Sequence, residues 1–91
     1  MATFMTLLRY TSEGAEGISG ERTKRVEQVL KEMNGKLLGG YGLLGQWDAV
    51  VYFDVPDLNM ALKASSRIGR LTGSRTETMG AIPLADFDRL F

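Results

Sequence analysis

Lys36-Leu37-Leu38-Gly39-Gly40-Tyr41-Gly42-Leu43-Leu44-Gly45-Gln46-Trp47-Asp48-Ala49-Val50-Val51-Tyr52-Phe53-Asp54 decides how this chain folds. It reads as two strands joined by a tight connection, with Trp47-Asp48 entering the second. Side chains alternate across a strand, so Trp47, Ala49, Val51, Phe53 and Val55 share one face, and Asp48, Val50, Tyr52 and Asp54 the other. The first set suits packing against helices. The second is more polar and suits a ligand or a partner.

Upstream, Thr3 to Tyr10 is short and rich in β-formers, with apolar residues on both faces, which predicts a strand central in its sheet. Thr11 to Gly20 brings three glycines and two serines and reads as a loop, with Ser19 or a neighbour placed to cap a helix. From Glu21 to Met33, Val26, Val29, Leu30 and Met33 recur at helical spacing. Arg22, Lys24, Arg25, Glu27, Lys31 and Glu32 then face water, with Glu27 and Lys31 an i,i+4 pair. Asn34-Gly35 stops this helix.

Downstream, Pro56-Asp57 opens a second helix with Asp57 as cap. Leu58, Ala61, Leu62, Ser65 and Ile68 form its buried stripe, and Gly69 or Gly73 ends it. Ser74 to Ile82 reads as a strand with Arg75, Glu77 and Met79 opposite Thr76, Thr78 and Ile82, and Pro83 stops it. Phe87, Leu90 and Phe91 make 84–91 a docking tail. The order strand, helix, strand, strand, helix, strand predicts an α+β domain over 1–91. It is a ferredoxin-like βαββαβ sandwich, a four-stranded antiparallel sheet with two helices on one face. Its bare sheet face is too apolar for water, so a second copy is expected to cover it.

Composition narrows function. Eleven basic residues balance eleven acidic ones, and nucleic-acid binders usually carry a basic excess. The chain has no cysteine and no histidine, which removes disulfides, thiolate sites, the commonest general base and the commonest transition-metal ligand. No carboxylate cluster has metal-binding spacing, so no metal and no cofactor is expected. There is no secretory signal and no apolar run near the roughly 20 residues of a membrane span. A cytoplasmic, homo-oligomeric protein is the expectation.

Three motifs then resemble the GYD-domain family. Gly45-Gln46-Trp47-Asp48 is similar to its Gly-x-Tyr-Asp turn. Tyr10-Thr11-Ser12-Glu13-Gly14 resembles its aromatic-Thr-polar-polar-Gly exit from the first strand. Arg75-Thr76-Glu77-Thr78-Met79 resembles its final strand. The resemblance spans nearly the whole chain and implies a dimeric α+β barrel, with little implied about activity. Trp47 stands where the family usually has tyrosine, so a phenolic role there is lost while an aromatic wall survives.

Candidate chemistry centres on the hairpin. Gly40 to Gly45 fits Gly-x-Gly-x-x-Gly, but a strand pattern follows where a dinucleotide site needs a helix, so the match is accidental. Asp48 is either a general base or a turn anchor accepting backbone N–H bonds, and the anchor reading is favoured. Tyr41, Trp47 and Tyr52 can line a pocket or serve as interface aromatics. Arg9, Arg75 and Glu77 can hold an acidic ligand or form ion pairs. Two functions remain. One is a small-molecule binding protein with its pocket near the Trp47-Asp48 hairpin. The other is a cofactor-independent enzyme of the barrel-monooxygenase or isomerase type, with Asp48 as base and Trp47, Tyr41 and Arg75 positioning substrate.

Overall fold

A computed structural model describes all residues, Met1–Phe91. Strand β1 (Ala2–Tyr10) leads into a short helix α1 (Ser12–Glu16) and then α2 (Gly20–Glu32). Strands β2 (Lys36–Gly42) and β3 (Ala49–Val55) form the hairpin, followed by α3 (Leu58–Thr72), β4 (Ser74–Ala81) and α4 (Leu84–Arg89). The sheet is antiparallel with order β2-β3-β1-β4, so β1 is central as its composition predicts. Helices α2 and α3 cover one face, and the core of Phe4, Leu8, Val26, Leu30, Phe53, Val55 and Ile68 lies between. This is the ferredoxin-like sandwich.

Local chemistry sets the boundaries. Ser19 accepts from the Arg22 N–H at 3.1 Å, and Asp57 from the Met60 N–H at 2.9 Å, each satisfying a donor that the first helical turn leaves open. Asn34 takes φ 59° after α2, and Gly73 takes φ 64° as the left-handed cap of α3. Between Leu37 and Gly39 a bulge offsets β2, which brings Gly39 opposite Tyr52 and Tyr41 opposite Val50.

Several expectations are corrected. The glycine-rich 11–20 segment is not all loop, because Thr11 accepts from the Gly14 N–H at 3.0 Å and nucleates α1. The hairpin connection is a longer loop than the tight turn expected, running from Leu43 to Asp48, and Trp47 sits there half-buried, outside the core face. Helix α3 is rotated from its expected stripe. Ala61, Ala64, Ile68 and Thr72 are buried, while Leu58 and Leu62 are each 63% exposed. The cause is polar. Ser65 bonds Thr78 at 2.6 Å and Thr76 at 3.2 Å, and Thr78 bonds the fully buried Thr6 at 2.7 Å. That hydroxyl chain seats α3 on β4 through small residues, which lets the helix approach closely.

Glu27 and Lys31 form no ion pair; the two present are Arg67–Glu32 and Arg89–Asp86, both at the surface. The tail does not dock on its own chain. Phe87 and Phe91 meet each other in a tilted contact, 5.2 Å between ring centres and 57° between planes, and Phe91 stays 93% exposed. No helix is long and apolar enough to cross a membrane.

Candidate functional site

Asp48 lies at the root of the hairpin and bonds backbone through one carboxylate oxygen, its N–H and its carbonyl. Its carboxylate accepts from the Tyr10 N–H at 2.8 Å. Its own N–H donates to the Leu8 carbonyl at 2.8 Å, and its carbonyl accepts from the Leu43 N–H at 2.9 Å. One residue therefore extends the β1–β3 ladder past its last regular pair and closes the connecting loop. The residue is exposed, and its carboxylate is already used as an acceptor for the Tyr10 N–H.

The open sheet face collects most of the other predicted residues. Paired positions share a face, so the register sets Arg9 beside Arg75, Leu7 between Val50 and Glu77, and Met5 between Tyr52 and Met79. Arg9, Arg75 and Glu77 share this face but form no ion pair within the chain. Tyr41 and Tyr52 lie 6.2 Å apart between ring centres. Hydrogen bonding with Tyr41 raises the Tyr52 phenol above its usual range, with desolvation and the neighbouring Tyr41 charge adding to it. Trp47 lines neither of the two hollows beside the hairpin. Gly40 to Gly45 runs from strand into loop with Gly45 at φ 130°, and no helix follows to receive a phosphate.

A cavity of about 70 Å³ lies on the other side of the sheet, under α2. Leu8, Val26, Leu37, Ala49, Val51 and Ile68 give it apolar walls. It shares Tyr10, Ile18, Thr23, Leu37, Ala49 and Val51 with a second cleft of about 390 Å³, which opens toward the hairpin and reaches Tyr41 and Asp48. On the edge strand, a Cβ on Gly39 would crowd the Tyr52 hydroxyl and one on Gly40 the Val50 carbonyl, so only Gly42 leaves room. A Cβ on Gly42 would meet nothing within 4 Å.

The cavity's one charged wall residue is Arg22, which is 7% exposed. This corrects its expected place on the wet face of α2. Position 22 belongs to the first turn, where α1 folds over the helix start. Arg22 Nη1 donates to the Gly14 carbonyl at 2.6 Å, and its Cζ stands 5.0 Å from the Tyr10 ring centre. Helical periodicity alone misses it, because α1 is built by a capping bond rather than by an apolar pattern. The signal available was Tyr10-Thr11 followed by Gly14: an aromatic platform, a cap and a residue small enough to pass close to another strand of backbone. No three acidic, histidine or cysteine side chains come together as a metal site.

The fold and the cleft define a small ferredoxin-like α+β protein with a cavity between helix and sheet. The GYD-domain family model matches residues 4–91, and the chain belongs to that family. It is 33% identical over 89 residues to the glutamine synthetase and cystathionine β-lyase binding protein of Thermus thermophilus, covering 94% of each chain. Among solved structures it is similar to TTHA0845, also of Thermus thermophilus, with TM-score 0.57, 24% identity, and coverage of 91% of this chain and 95% of that one. An AsnC-family transcriptional regulator from Agrobacterium tumefaciens gives 0.58 at 22% identity, covering 90% of this chain and 50% of that one. Ribosomal protein S6 of Thermotoga maritima gives 0.56 at 17%, covering 98% and 95%. At these identities the structural likeness speaks for the fold alone.

Proposed function

We propose that this chain is a small-molecule binding protein with no chemistry of its own, acting as a homo-oligomer. The observation that carries the reading is the cavity under α2, apolar-walled, adjoining an open cleft with which it shares six wall residues, and lined by the buried guanidinium of Arg22. Binding sites are commonly such concave apolar spaces with few, placed polar groups. The enzymatic alternative is weaker, because Asp48 is exposed and occupied by the Tyr10 N–H. Self-association rests on the open sheet face, where Met5, Leu7, Tyr52 and Met79 lie together inside a charged rim.

Native mass spectrometry of the protein purified from its source tests the reading. A non-covalent adduct on the oligomer, lost on denaturation, is expected. Bare chains, together with no saturable amide shift from a small-molecule library, would sink it.

A second reading is favoured by the 33% identical relative, whose name assigns it two enzyme partners. In that reading the chain docks on a metabolic enzyme. Leu58 and Leu62 on α3, and Leu84 and Phe87 on α4, are exposed and available for such contact. Sedimentation velocity with purified glutamine synthetase and with cystathionine β-lyase checks it, since free mixing without a co-migrating boundary in either case excludes those two partners.

A further inference from the structure

A buried charge persists where it is paired and fully hydrogen-bonded. Arg22 meets neither condition within its own chain. No carboxylate reaches it, since the only ion pairs are Arg67–Glu32 and Arg89–Asp86. Of the guanidinium nitrogens only Nη1 is engaged, by Gly14 O at 2.6 Å. The Tyr10 face stabilises the cation but accepts no in-plane hydrogen bond. No side-chain nitrogen is both fully enclosed and without a partner, so Nε and Nη2 keep some access to solvent on a side chain that lines the cavity.

We infer that this cavity binds a small organic monocarboxylate, its head on the free donors of Arg22 and its apolar body in the cleft toward the hairpin. The inference deepens the small-molecule reading and rests on it. Charge selects an anion, because Arg22 is the only charged residue on the inner walls. Shape and number select a carboxylate. A planar guanidinium edge matches two coplanar oxygens, whereas a phosphate dianion calls for more donors than one partly used arginine supplies. Polarity sets the direction of entry. Asp48 sits on the rim of the outer cleft, so a carboxylate is repelled there and drawn inward, while Leu37, Ala49 and Val51 continue from one chamber to the next and take the hydrocarbon.

The test is an NMR titration of the full chain with hexanoate, with hexanamide as its neutral isostere, and with inorganic phosphate. Hexanoate is expected to shift the Arg22 Nε–H and the Tyr10, Thr23 and Ala49 amides saturably, at least tenfold more tightly than hexanamide. Phosphate is expected to leave them unmoved. Arg22→Met should abolish hexanoate binding and Arg22→Lys retain part of it. Because Arg22→Met also releases the Gly14 carbonyl, Gly42→Val provides a second arm. It places a side chain in the open cleft away from Arg22, and should weaken hexanoate with the melting curve unchanged. Equal binding of hexanamide and hexanoate overturns the anion inference and leaves the small-molecule reading standing. Tighter binding of phosphate overturns the carboxylate assignment. Absence of a saturable shift from all three overturns the inference outright, with the broader reading judged separately by its native mass spectrum.

Discussion

At Asp48 one carboxylate does the work of an extra rung in the sheet. It receives the Tyr10 N–H that no regular pairing serves, at a point where the ladder ends and the hairpin loop begins. Asp48→Asn keeps one acceptor oxygen, so a loss of about 0.5–1.5 kcal/mol is expected in thermal melts, the net worth of one hydrogen bond. Hexanoate binding should survive it. A hundredfold loss of an activity with unchanged stability would instead restore Asp48 as a base. Tyr52 gives a second residue-scale test. Its folded pKa is raised above the unfolded value of about 10, so the neutral phenol is favoured in the folded state. The stability it contributes is present below that value and is lost as pH rises through the folded pKa. Ultraviolet titration should show one tyrosine ionising late, and Tyr41→Phe should bring it back toward the ordinary range.

Among the elements, the junction of α1 with the end of α3 is the tightest. A Cβ on Gly14 would stand 2.1 Å from the Gly73 carbonyl oxygen, with backbone on the other side unable to give way. Thr11 reinforces this closeness, donating its N–H to the same oxygen at 2.9 Å and its hydroxyl at 3.0 Å. Gly14→Ala therefore forces the elements apart, at a cost of about 1–3 kcal/mol, and moves the Gly14 carbonyl that holds Arg22. Gly20 offers the contrast, since its Cβ would meet nothing within 4 Å at the start of α2. Gly20→Ala is expected to be neutral or to stabilise by up to about 1 kcal/mol. Denaturant melts of both variants check the pair. An equal effect would mean that α1 is not clamped.

On the scale of the whole molecule, one layer of helices cannot cover two faces of a sheet. The open face presents Met5, Leu7 and Met79 with Tyr41, which is 66% exposed on the edge strand. Arg9 and Arg75 stand side by side there without an ion pair, with Glu77 next along β4, while Asp54 lies toward the opposite end of the same face beside Lys36. In the proposed dimer a two-fold axis would turn the Arg9–Arg75 end of one copy toward the Asp54 end of the other across an apolar centre. Sedimentation equilibrium should show a dimer at micromolar concentration, and Leu7→Lys should yield monomers. The tail belongs to the same test. Phe87, Leu90 and Phe91 are exposed in one chain, so truncation after Ala85 should lower the melting temperature only of the assembled protein. A wild-type monomer at that concentration would end the dimer proposal.

Sequence alone determined the order and type of the major elements, because each rests on local physics. Alternation in β3, the 3.6-residue period of α2, and the caps at Ser19, Asp57 and Gly73 act within a few residues of chain. Parity also placed Arg75 and Glu77 on one face of β4, whereas Tyr41 reaches the face of Tyr52 only through the bulge between Leu37 and Gly39. Tertiary structure decided the rest. The rotation of α3 follows from the β4 hydroxyls of Thr76 and Thr78 bonding Ser65, with Thr6 on β1 bonding Thr78 in turn, partners separated in sequence that no period reveals. The burial of Arg22 follows from Gly14 and Tyr10, which reach it only once β1 and α2 pack together. The cavity is a space between elements, and a space between elements belongs to no segment of the chain.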